Sequence, residues 1–155
     1  MGATPLSWAA WNGHEVVVKT LLGRSDVDPN KADHDGRTPL WRAALAWHEG
    51  VVKLLLGRDD VIRDRPDLSG RTPLSWAALK GHEGVVKLLL ACDDVDPNNL
   101  DDKERTPLYS GGLPAVDTRE WWKYYSDEAT LTPTGLMSTG KHHSGERLSA
   151  GMREW

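Results

Sequence analysis

At 155 residues, with 39% hydrophobic and 27% charged residues, the chain has room for one ordinary domain or for three to four short repeats sharing a core. A net charge of -4 leaves no electrostatic footprint for nucleic acid, and no apolar run approaches the ~20 residues of a bilayer span, so neither is an expected partner. Cys92 is the only cysteine and forms no internal disulfide, and no apolar leader follows Met1, so a reduced, cytoplasmic location is expected.

The tripeptide Thr-Pro-Leu begins at Thr4, Thr38, Thr72 and Thr106, a constant spacing of 34 that marks an internal repeat. In each unit the Thr hydroxyl is placed to cap a helix start, and Pro at the first helical position gives up no hydrogen bond. The first helix is expected to end near Asn12, Ala46 and Lys80, with the paired alanines Ala9-Ala10, Ala43-Ala44 and Ala77-Ala78 allowing close approach of neighbouring helices. Gly13 and Gly81 follow, where a left-handed residue closes the helix. In the second helix Val85, Val86, Leu88, Leu89 and Leu90 form a wide apolar stripe that one hairpin cannot bury alone. The segments DVDPNKADHDG, DVIRDRPDLSG and DVDPNNLDDKE are turn-rich and predict projecting hairpin loops.

With these residues in register, the unit resembles the ankyrin repeat, D-G-x-T-P-L-x-x-A-A-x-x-G-H-x-x-V-V-x-L-L, over roughly residues 3–108. The resemblance implies an all-α solenoid of stacked helix-turn-helix units with projecting hairpin loops. Repeats fall at about 3–35, 36–69 and 70–103, a partial fourth at 104–110, and an irregular tail at 111–155. The GHEGVVKLLL wording is similar to fungal repeats, some of which follow a NACHT module, and no NACHT segment is present in this sequence. Such a stack, without polar end repeats, is expected to be marginally stable and to expose apolar surface.

Departures from the family pattern carry their own expectations. Ser7, Trp41, Ser75 and Tyr109 stand where the family usually has His, so the turn hydrogen bond of that His is replaced or lost. Trp47 occupies the helix-ending glycine position of the second repeat, at a cost of about 1–2 kcal/mol. That makes the second repeat the expected weak link, and its loop also carries a basic stretch around Arg63 and Arg65 in place of the Asp-Pro-Asn of its neighbours.

The family resemblance implies a protein partner held on the concave surface of loop tips and first helices. Carried over by position, the partner-binding residues are Trp11, Asn12, His34, Asp35, Arg37, Leu45, Ala46, Leu68, Ser69, Arg71, Leu79, Lys80, Asp102, Lys103 and Arg105. For Trp11 both partner contact and packing remain open, whereas Trp8 and Trp76 are expected in the core. His14, His48 and His82 recur once per repeat, which favours helix capping and inter-repeat hydrogen bonding over catalysis. The acidic loops at Asp59, Asp60, Asp93, Asp94, Asp101 and Asp102 lack the glycine and terminal Glu of a calcium loop, so solvated turns are favoured. No catalytic residue, metal or cofactor is implied, and the chain does not read as an enzyme.

After Leu108 the pattern stops, yet Arg119-Glu120-Trp121 recurs as Arg153-Glu154-Trp155 at the same spacing of 34. Codons for Gly-His-Glu-Gly-Val-Val read one base out of register yield Asp117–Trp122, so residues from about Gly111 onward are expected to be repeat DNA translated in the wrong frame. On that basis the tail is expected to be disordered or loosely helical near Trp121 to Tyr125, and the chain has a second reading as a non-functional fragment or decayed copy of a larger receptor-like protein. Gly135–His142 (GLMSTGKH) falls one residue short of a phosphate-binding loop and follows no apolar strand, and the adjacent His142 and His143 do not make a metal site.

Overall fold

A computed structural model describes residues 2–107, and six short helices account for the ordered secondary structure among them. They are α1 (Pro5–Trp11), α2 (Glu15–Leu22), α3 (Pro39–Leu45), α4 (Glu49–Leu56), α5 (Pro73–Lys80) and α6 (Glu83–Leu90). Each repeat contributes one antiparallel pair. The first helices α1, α3 and α5 pack in one row, the second helices α2, α4 and α6 in another, and the two rows meet within each repeat. The expectations for the region from Leu108 onward, including the out-of-frame tail, GLMSTGKH and the two adjacent histidines, lie outside the described residues.

Local chemistry accounts for the ends of the first helices. The hydroxyls of Thr4, Thr38 and Thr72 accept from the backbone amides of Ser7, Trp41 and Ser75 at 3.1, 3.1 and 3.2 Å, and Pro follows each Thr. The hydrogen bond that the missing His would make is replaced in two repeats by a hydroxyl pair, Thr4 with Ser7 and Thr72 with Ser75, both at 3.1 Å. In the second repeat it is lost, because Trp41 is buried there and its indole Nε1 has no hydrogen-bond partner among the described residues.

One continuous core runs along the stack. Leu6, Leu40 and Leu74 are buried from the first row, the paired alanines let α1, α3 and α5 approach, and Val51, Val52, Leu55, Val85, Val86 and Leu89 are fully buried from the second row. Leu88 and Leu90, expected in the same stripe, pack against it only partly buried. At the first repeat the apolar surface is open: Val17 is 47% exposed, while its counterparts Val51 and Val85 are covered by the repeat before them.

The turns show two kinds of left-handed residue. Gly13 and Gly81 both have φ 72, as a helix-closing glycine requires, and Trp47 is held at φ 62 in the same position of the second repeat. Trp47 recovers part of that strain by stacking on His82, ring centroids 5.5 Å apart and planes 3° from parallel. Glu104, at φ 57, occupies the turn position that Gly36 and Gly70 fill elsewhere. It has no ring to offset the cost. Glu104→Gly is therefore expected to raise the unfolding free energy by about 1 kcal/mol, with Trp47→Gly gaining less because the stacking is removed. Urea titration of the two variants beside the parent chain checks the order.

The basic stretch of the second repeat's loop makes contacts of its own. Arg63 lies largely buried between loops, pairs with Asp94 at 2.8 Å in the next repeat and donates to the carbonyls of Leu56 and Arg58 at 3.4 and 3.2 Å. It joins the second repeat to the third, though its Nε is buried without a partner among the described residues.

Candidate functional site

The surface expected to bind a partner is built by the three hairpin turns and the first row of helices. Each turn is closed by the same device. Asp33, Asp67 and Asp101 donate their backbone amides to the carbonyls of Arg37, Arg71 and Arg105 at 3.1, 2.9 and 3.0 Å. Their Oδ1 atoms accept from the amides two and four residues on, at 2.9 and 2.9 Å for Asp33, 2.8 and 3.1 Å for Asp67, and 2.9 and 3.1 Å for Asp101. Successive turns are joined by Leu68 N donating to Asp35 O at 3.0 Å and Asp102 N donating to Ser69 O at 3.2 Å.

The second carboxylate oxygen of each Asp is then free to hold a side chain on the groove. Asp33 Oδ2 takes Arg42 at 2.6 Å, Asp67 Oδ2 accepts from the Trp76 indole at 2.9 Å, and Asp101 Oδ2 accepts from Arg105 Nη2 at 2.6 Å and Arg71 Nε at 3.2 Å. Burial opposes ionisation of Asp33, but the amides of Arg37 and Asp35 and the Arg42 guanidinium outweigh it and hold the carboxyl below its usual range. Asp101 is pulled well below that range in the same way, burial being overcome by Arg105, two turn amides and Arg71.

Beside these anchors lies a row of paired cations and indoles. The Arg42 guanidinium sits 5.6 Å from the Trp8 ring and 6.0 Å from the Trp11 ring, Arg37 lies 5.1 Å from Trp41, and Arg71 lies 4.8 Å from Trp76. Trp41 and Trp76 meet edge to face with centroids 5.4 Å apart. The core assignment of Trp8 and Trp76 is thereby corrected. Trp8 is 55% exposed, with only the Arg42 guanidinium of the next repeat given against its ring, and Trp76 is half-buried with its indole N–H reaching out to Asp67.

None of the predicted partner-binding residues is fully buried. Trp11, Asn12, His34, Asp35, Leu68, Ser69, Lys80, Asp102 and Lys103 are exposed, and Arg37, Leu45, Ala46, Leu79, Arg71 and Arg105 are half-buried. They separate into a turn-tip group and a helix-end group. His34 and Leu68 line a shallow hollow with Asp28, Asn30, Lys31 and Arg65. At the other edge the carbonyls of Trp11 and Leu45 engage the Nε2 atoms of His48 and His82 at 2.9 and 3.0 Å. His48 and His82 thus bridge neighbouring repeats, and none of the three repeated histidines makes a side-chain cap to its own helix.

Asp33, Asp67, Asp101, Trp8, Arg42 and Trp76 were not assigned to this surface by the sequence reading. The acidic trio had a signal in the sequence, since each lies five residues before a Thr-Pro pair at the 34-residue spacing. Among the described residues no group of three or more His, Cys, Asp or Glu is arranged to hold a metal ion, and no helix is long and apolar enough to cross a membrane.

The family model for ankyrin repeats, in three copies, matches residues 6–101. The chain is also 49% identical over 35 residues to the mouse (Mus musculus) protein "Ankyrin repeat domain-containing protein SOWAHD", a match covering 23% of this chain and 11% of that protein. Ankyrin repeats are generally protein-interaction modules on a fold that is typically non-enzymatic. Six paired helices without strands among the described residues, the joined turns and the three-copy match together place this chain in the ankyrin-repeat family.

Proposed function

We propose that the chain binds a protein partner across the groove of turns and first helices, with the exposed indoles of Trp8 and Trp11 as anchors and the turn arginines as orienting charges. The observation that carries this reading is the cation–indole row itself. Two large indoles, 55% and 38% exposed, are held beside a guanidinium whose own position is set by a buried carboxylate. Solvent-facing indoles supply contact area at low entropic cost, and Trp is enriched among the few interface residues whose truncation costs about 2 kcal/mol or more of binding. The charged groups contribute chiefly to encounter rate and orientation.

Affinity capture from the native source with the 155-residue chain as bait tests the site. A partner retained by the parent chain is expected to be lost with Trp8→Ala/Trp11→Ala and weakened with Arg37→Ala/Arg71→Ala/Lys80→Ala. Capture should persist with Lys19→Ala/Lys53→Ala, whose exposed side chains lie on the second row. Equal capture by all four baits would remove the groove from consideration.

A further inference from the structure

The loops between repeats contain an internal control. Asn30 bridges to the following loop with both ends of its amide: Nδ2 donates to the Asp60 carbonyl at 2.6 Å, and Oδ1 accepts from the Ile62 amide at 2.7 Å. One repeat later the same slot holds Asp64. Its Oδ2 reproduces the accepting half of the bridge, taking the Asp96 amide at 3.1 Å and the side-chain amide of Asn99. Its Oδ1 is buried without a partner. The residue one repeat on from Asp60 is Asp94, so the counterpart of the carbonyl that Asn30 reaches is the Asp94 carbonyl. An ionised carboxylate has no hydrogen to place there, whereas a neutral carboxyl has one.

We propose that Asp64 makes the joint between the second and third repeats a proton-dependent clasp. In the neutral form its carboxyl donates to the Asp94 carbonyl and closes the joint as Asn30 closes the previous one; ionisation opens that half of the bridge.

The surroundings favour the neutral form. Asp94 and Asp96 lie on the facing loop and repel a second negative charge, while Arg63, adjacent in sequence, is engaged by Asp94 at 2.8 Å. Arg65 is exposed and turned back to the Asn30 carbonyl at 3.4 Å. Burial, with those two carboxylates, outweighs the amide bonds from Asp96 and Asn99 and pushes the Asp64 carboxyl up to about 6. A carboxyl raised on folding stabilises the fold while it is neutral, so this contribution is complete below the unfolded value of about 4 and is lost as pH rises through about 6. Asp33 and Asp101, which are lowered, contribute in the opposite direction and at lower pH.

Urea unfolding of the full chain at about pH 4.5 and about pH 7.5, with and without Asp64→Asn, reads the clasp. A shift of about two units corresponds to a hundredfold change in the folding equilibrium constant; with half the site open to solvent, about tenfold is expected. The parent chain should lose about tenfold relative to Asp64→Asn on going to the higher pH, and Asp64→Asn should be the more stable protein there. Asn30→Asp should install a second loss of the same sign at the preceding joint. Parallel pH dependence in the parent and Asp64→Asn would overturn the proposal, as would an Asn30→Asp chain whose deficit is the same at both pH values. Carbon-13 titration of the Asp64 carboxyl in the unaltered chain decides independently of how the variants fold. A midpoint near 6 supports the clasp, and one near the ordinary value of about 4 overturns it.

Discussion

Asp101→Ala is expected to lower the unfolding free energy by about 3 kcal/mol, read as a lower urea midpoint at neutral pH. Asp101 is buried, and one side chain closes the third turn through the amides of Lys103 and Arg105 while accepting from the guanidinium groups of Arg71 and Arg105. Truncation leaves two half-buried cations without their carboxylate and two turn amides without an acceptor, which costs more than the pair contributes when intact. Asp101→Asn keeps the size and one acceptor oxygen and should lose about half as much. The acid limb of the stability profile has the same origin. Because the Asp33 and Asp101 carboxyls are lowered on folding, their stabilisation is complete above the unfolded value of about 4 and is lost as pH falls through their folded values. Asp101→Asn should therefore flatten that limb. An unchanged acid limb would assign acid unfolding to other groups.

Leu55→Ala is expected to cost a comparable amount, about 3 kcal/mol, through a cavity rather than a charge. Leu55 is fully buried on α4, the middle helix of the second row, which packs against both α2 and α6. In a stack stabilised by nearest-neighbour interfaces, a defect in the middle repeat weakens two junctions at once. The counterpart change Leu54→Ala, at a partly buried position of the same helix, should cost markedly less. Hydrogen exchange adds a spatial check: protection should fall in α2 and α6 as well as in α4, and loss confined to α4 would contradict the coupling of the repeats.

Features that depend on a few neighbouring residues were readable in advance. The Thr-Pro starts appear as caps at Thr4, Thr38 and Thr72, Gly13 and Gly81 take the left-handed conformation, and Trp47 is forced into the same region by its place in the repeat. The repeat assigns each proposed groove residue a place, and nine of those fifteen positions are exposed and six half-buried. The energetics of the groove were not readable in this way. Trp8 and Trp76 share an apolar-looking register, yet one is exposed while the other reaches Asp67 and meets Trp41 edge to face, contacts between loop, helix and neighbouring repeat that register does not show.

The 34-residue period, the helix boundaries and the alternation of small and large apolar residues thus follow from order along the chain, because caps, turns and periodicity act over one or two helical turns. The cation–indole row of the groove and the carboxylates beneath it required the three-dimensional arrangement. Arg71 meets Asp101 thirty residues away, and Asp64, which lacks the hydrogen that Asn30 donates across its joint, is buried against a loop that brings an amide and two carboxylates to it. Such contacts are formed between stacked repeats, where electrostatic strength and hydrogen-bond satisfaction depend on the neighbour that closes over each side chain.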